Sequence, residues 1–192
     1  MVTQESRVLR FIPASISMLA LACLGSIAEA QGTASSFSSS GVRLQFEGWS
    51  PQPLDNDSPE LILRIEPNVM NSGVYRTCEL ERRSLPPVPN MTQEAYNARV
   101  LSSGGGQMGD TLAARVVRRS VAMVNGVAVI DLDLDASQSG GPAVMRNRMF
   151  ARGHSDGGGD YFKLTCAAMV ELPPELSAEF ESILGSLQID SN

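Results

Sequence analysis

Histidine, lysine and aromatic residues are close to missing from this chain of 192 residues. His154 is the only histidine, Lys163 is the only lysine, and aromatic residues make up 5 %. With one histidine and three cysteines, a zinc centre built from several such ligands would need every one of them and is nearly excluded by count. A serine–histidine–aspartate triad has a single candidate base. Positive charge in excess is missing too: the net charge is −6, which argues against a nucleic-acid partner held by counterion release. Scarce aromatics leave no platform for stacking bases. What remains is 43 % hydrophobic and 19 % charged, enough to bury the core of one domain.

Long apolar runs are missing except at the start. Arg7 and Arg10 precede an uncharged stretch from Phe11 to Ile27, followed by Ala28-Glu29-Ala30. A basic head, an apolar middle and a small-x-small site are the pattern of a secretory signal, residues 1–30, cut near Ala30. The stretch is about 18 residues long, the lower limit for a span, so a retained anchor is the competing reading. Lipidation at Cys23 is weaker, because the large apolar residue expected three places upstream is absent. The expected location is the periplasm or outside the cell, with membrane contact only through the uncleaved signal. Loss of residues 1–30 removes two Arg and two Glu and leaves the charge unchanged.

After cleavage the cysteines are Cys78 and Cys166. An exported chain with one pair suggests a disulfide, which over a loop of roughly 90 residues contributes about 4 to 5 kcal/mol in the chain-entropy account. Two buried free thiols are the alternative.

Residues 31–41 are serine-rich and read as a flexible leader, and residues 42–190 as one domain. Val42 to Phe46 alternates as a strand. Leu61 to Ile65 and Val74 to Glu81 are further apolar runs, the first preceded by a proline-rich loop at 50–59 and the second followed by another at 84–90. Thr92 to Leu101 is a short helix with Thr92 as its cap. The clearest local signal is Asn125-Gly126 between Ala114 to Val124 and Val127 to Asp135, a two-residue hairpin. That turn sets Arg118 opposite Asp133 and Ser120 opposite Asp131. It sends Val117, Val121, Met123, Ala128, Ile130, Leu132 and Leu134 to the other face, where Arg119 is a misfit. A second hairpin joins Met145 to Arg152 with Tyr161 to Val170. Pro173-Pro174 opens a closing helix whose Leu176, Phe180, Ile183, Leu184 and Leu187 share a side. Strands, a helix, paired hairpins and a last helix make an α+β chain with a mainly antiparallel sheet.

Site candidates are few. Asp131, Asp133 and Asp135 alternate with leucine, the pattern of a strand with a wet face; the sixth position of a calcium loop would need glycine and has Ala136. Arg146, Arg148 and Arg152 share a face of the next strand. They either neutralise the aspartates across strands or form an exposed patch for an acidic partner. His154-Ser155-Asp156 is a turn, and consecutive turn residues are badly placed for a triad. Gly104-Gly105-Gly106 lacks the lysine of a phosphate loop and reads as a mobile surface loop.

Three stretches resemble the PsbP-like superfamily, including its bacterial envelope members of the DcrB type: Phe46-Glu47-Gly48-Trp49, Tyr161 to Cys166, and Phe180 to Ile189. The resemblance implies a sandwich of antiparallel sheet and flanking helices, with no catalytic residue, no cofactor and no metal. It implies a non-enzymatic module that binds or assembles an unknown envelope protein. The competing expectation is a carrier holding a small apolar ligand between sheet and helix.

Overall fold

The computed structural model describes residues 35–54, 58–69, 74–103 and 114–190. The signal segment and the glycine run at 104–106 lie outside them. Among the described residues no helix is long and apolar enough to cross a membrane.

Three strands form a small antiparallel sheet in the order β1 (Ser35–Ser39), β2 (Val42–Phe46), β10 (Gln188–Ile189). The leader expectation is corrected here for residues 35–39, which pair with β2 from Ser35↔Phe46 to Ser39↔Val42. The ladder satisfies the backbone of a serine-rich strand, and Phe37, opposite Leu44, packs against the core. Ser40 and Gly41 both take positive φ in the two-residue turn between the strands. A Cβ at Gly41 would also collide with the Arg152 guanidinium.

The larger sheet has seven antiparallel strands: β3 (Trp49–Pro51), β4 (Leu61–Pro67), β5 (Arg76–Leu85), β9 (Gly159–Ala168), β8 (Val144–Gly153), β7 (Val127–Asp135) and β6 (Arg115–Val124), in that order. Every neighbouring pair is consecutive in the chain except β5 and β9. Two meanders therefore meet at one join, and the Cys78–Cys166 disulfide crosses it between register partners whose Cα atoms are 4.1 Å apart. Both cysteines are buried.

The predicted hairpin forms in the predicted register, Arg118↔Asp133 and Ser120↔Asp131, with Asn125 at φ 48° and Gly126 at φ 81°. A bulge between Val116 and Arg118 makes Val117 the extra residue. Val117 and Met123 were expected on an apolar face; both are exposed, because β6 ends the sheet and has a neighbour on one side only among the described strands. Val170, expected on a shared face with Phe162, lies beyond the end of β9 and is likewise exposed. The loop expected at 50–59 begins with β3, whose Trp49 pairs with Pro67.

One face of the large sheet carries Leu63, Ile65, Cys78, Leu80, Phe150, Phe162, Leu164 and Val129. It packs against Val42, Leu44 and Phe46 of the small sheet and against Phe180, Ile183 and Leu184 of α2 (Pro174–Gly185). Phe150 stacks on Phe162 at 5.1 Å between centroids. The opposite face carries Ile130, Leu132, Leu134 and Met149, near Val100 of α1 (Gln93–Ser103). Thr92 caps α1, accepting the Ala95 N–H at 3.3 Å as expected. Asn97 then fastens the helix to the hairpin turn: it donates to the Gly126 carbonyl at 2.7 Å and accepts the Ala128 N–H at 2.8 Å.

Candidate functional site

Arg146 and Arg148 face the aspartate row across β7 and β8, as Asp133↔Arg146 and Asp131↔Arg148. Arg148 grips Asp131 with two bonds, of 2.7 and 3.0 Å, and donates a third to the Leu184 carbonyl at 2.6 Å. That carbonyl belongs to the last turn of α2, where the helix end is partly negative. Arg146 pairs with Glu181 at 2.8 Å and bonds the Ser177 hydroxyl at 2.7 Å. Arg118 reaches from β6 to Asp133 at 2.8 Å and Glu181 at 3.2 Å. Arg152 stands apart, donating to the Ser40 carbonyl at 3.0 Å. For Arg146 and Arg148 these contacts match the cross-strand alternative rather than an exposed patch, while Arg152 is half-buried and borders the clefts described below. The first two are 17 % and 19 % exposed at their side chains and fasten α2 onto the sheet. The helix acceptors lie some thirty residues further along the chain, so strand alternation alone could not reveal them.

The aspartates are committed as well. Asp135 accepts the Ser137 hydroxyl at 2.6 Å and its N–H at 3.0 Å, and pairs with Arg115; these bonds, the hydroxyl first, hold its carboxyl below the usual carboxylate range. Among the described residues no group of three His, Cys, Asp or Glu side chains is placed to hold a metal.

His154 Nε2 lies 3.1 Å from Asp160 Oδ2. The buried Asp160 is also 3.1 Å from Arg82 Nε and accepts the Ser84 hydroxyl. Asp156 serves the turn itself, accepting the Gly158 N–H at 2.9 Å. An open cleft of about 530 Å³ runs past His154 between Arg152 and the start of α1 at Thr92 and Gln93. A smaller one of about 200 Å³ adjoins it, with Glu94 and Asp190 on its wall. Both are open and partly polar, so neither is an enclosed apolar cavity for a small ligand.

β6 is the remaining candidate. It is ten residues long, and no described strand pairs with its outer side. Arg115 is 73 %, Val117 61 % and Met123 53 % exposed. Arg115 and Arg118 have carboxylate partners, as above. Arg119, opposite Leu132 on the face towards α1, is exposed and has no ion-pair partner among the described residues.

No family model matches the chain, and no curated protein matches it in sequence. Solved structures match it in fold. The chain is similar in fold to LpqN. That Mycobacterium tuberculosis protein, involved in cell envelope biogenesis, has 15 % identity and a TM-score of 0.58, with 84 % of this chain and 91 % of LpqN covered. The chain is also similar to the cyanobacterial PsbP of Synechocystis, at 11 % identity and a TM-score of 0.45, over 86 % of this chain and 98 % of that one. Identities this low speak to the fold alone. The α+β architecture with a mainly antiparallel sheet expected from the sequence is the one observed, and the DcrB type is not singled out.

Proposed function

We propose that this chain is an exported, non-enzymatic protein of the bacterial envelope that binds or assembles another envelope protein, and that the outer edge of β6 receives that partner. The open edge carries the reading: ten residues of strand with apolar and arginine side chains exposed together. The disulfide suits an oxidising compartment, and the fold is shared with a protein of envelope biogenesis. The carrier alternative needs free space between sheet and helix. There Trp49, Phe46, Phe162, Leu164 and Phe180 pack as one cluster.

The test is a photo-crosslinking amino acid placed at Met123 and, as a control, at the exposed Glu47, in cells that make the native protein. An adduct with one envelope protein from position 123 and none from 47 supports the reading. Equal adducts from both positions, or none from 123, overturn it. Thiol labelling of the same fractions should find Cys78 and Cys166 blocked.

A further inference from the structure

We infer that the partner contributes an extended segment that joins β6 as an antiparallel eighth strand, with a carboxylate beside Arg119 and apolar side chains beside Val121 and Met123. The inference rests on β6 being the binding edge, and adds how the edge is used and for what chemistry.

The backbone sets the register. Val124 and Val127 flank a two-residue turn and so form a pair that exchanges both hydrogen bonds. Bonding alternates from there, so Val124, Ala122 and Ser120 point their N–H and C=O groups at β7. Arg119, Val121 and Met123 point theirs outward. Those same three residues place their side chains on the face towards α1, as Arg119↔Leu132, Val121↔Ile130 and Met123↔Ala128 show. The bulge at Val116 to Arg118 ends the usable ladder on the other side. An added strand therefore finds five residues, Arg119 to Met123, and its side chains opposite the outward-bonding three lie on their face.

Charge selects the occupant. Arg119, the register partner of buried Leu132, is exposed and has no carboxylate partner among the described residues, while Arg115 and Arg118 are each neutralised. A second copy of this chain does not meet the need. In two-fold antiparallel pairings of β6 with itself, Arg119 faces Met123, Val121 or another Arg119. A basic segment is repelled. An antiparallel strand running apolar, any, apolar, any, acidic places its acid on Arg119 and its apolar residues on Val121 and Met123.

The probes are three five-residue peptides, capped at both ends, of pattern valine-threonine-valine-threonine-X with X glutamate, glutamine or lysine. Each is titrated into isotope-labelled protein while backbone amide shifts are followed. The glutamate peptide should move the amides of Arg119, Val121 and Met123 and bind about fivefold tighter than the glutamine peptide, with lysine weakest. Arg119→Glu, at an exposed position, should reverse the order while leaving the rest of the amide spectrum in place. Equal binding of all three peptides at the edge would overturn the acidic preference and keep β6 as the binding edge. Silent edge amides with a persisting crosslink at position 123 would overturn strand addition alone. Silent amides and no crosslink overturn both. Concentration-dependent shifts of the same amides without peptide would overturn the inference in favour of a second copy.

Discussion

β3 closes one side of the seven-stranded sheet with three residues, and β6 closes the other with ten. Both are edges, yet they handle the same liability in opposite ways. β3 gives Trp49 to the core, where its ring is 6.1 Å from that of Phe180 and 5.7 Å from the guanidinium of the buried Arg76. It then stops at Pro51, which has no N–H to offer. β6 keeps its length and leaves its side chains outside. A bulge and three arginines stand at its first half, features that blunt indiscriminate pairing without closing the strand. One edge is retired by burial; the other, on the function proposed above, stays available but filtered by charge. Substitutions on the β3 side should therefore register as stability, and those on the β6 side as binding.

The largest effect belongs to the join that holds the β3 side in place. Replacing Cys78 and Cys166 together by alanine should lower unfolding free energy by about 4 kcal/mol in urea titration. Trp49→Ala should cost about 3 kcal/mol, since it opens a cavity beside Phe180 and strips Arg76 of its ring contact. A loss under about 1 kcal/mol would mean that the β3 edge is not sealed by its tryptophan. Glu179→Gln leaves the Arg76 guanidinium with a neutral partner in place of the 2.8 Å ion pair. Because Glu179 is partly exposed, the expected loss is about 1 to 2 kcal/mol. Val117→Ser on the β6 side should change stability by no more than about 0.5 kcal/mol, and a larger loss would erase the contrast between the edges.

The smallest expected effect is on pH dependence. Glu60, bonded first of all by the Arg83 side chain, and Asp135, bonded by Ser137, both have carboxyl pKa values lowered in the folded chain. A lowered folded pKa stabilises above the unfolded value of about 4, and that contribution fades as pH falls through the folded value. Urea midpoints should be flat from neutrality to about pH 5 and decline below pH 4. Asp135→Asn should make that decline shallower, and an unchanged slope would show that Asp135 contributes nothing to it.

Much of this contrast is written locally, and the rest is not. Asn125-Gly126 and the alternation on either side specify the β6–β7 register because a one-residue slip would expose Ile130, Leu132 and Leu134. Thr92 marks the start of α1, and the two prolines mark that of α2. The alternation of Val127 and Val129 with the aspartates hints that this face is covered, and both valines are buried there. Strand order is another matter, since no residue of β6 states that it will be last in the sheet. The nearest signal is Arg119, whose misfit on an apolar face is resolved once that face runs out at an edge. The arginine row was legible as charge pairing, but its role in holding α2 depends on Ser177 and Glu181, remote in sequence. The first strand was missed because Ser35–Ser39 has one apolar anchor, Phe37, and draws its order from β2.

The join between β5 and β9 also governs the order of assembly. Cys78 and Cys166 are neighbours in the sheet but 88 residues apart in the chain. The β3–β4–β5 meander can form early from local contacts, and β6 to β9 can zip up hairpin by hairpin. Their union must wait until β9 has emerged, and loop closure over such a distance slows folding. During that interval β5 is itself an unpaired edge, with Cys78 bare of its neighbour. The centre of the finished sheet is thus the part of the nascent chain that most needs shielding from aggregation and premature oxidation.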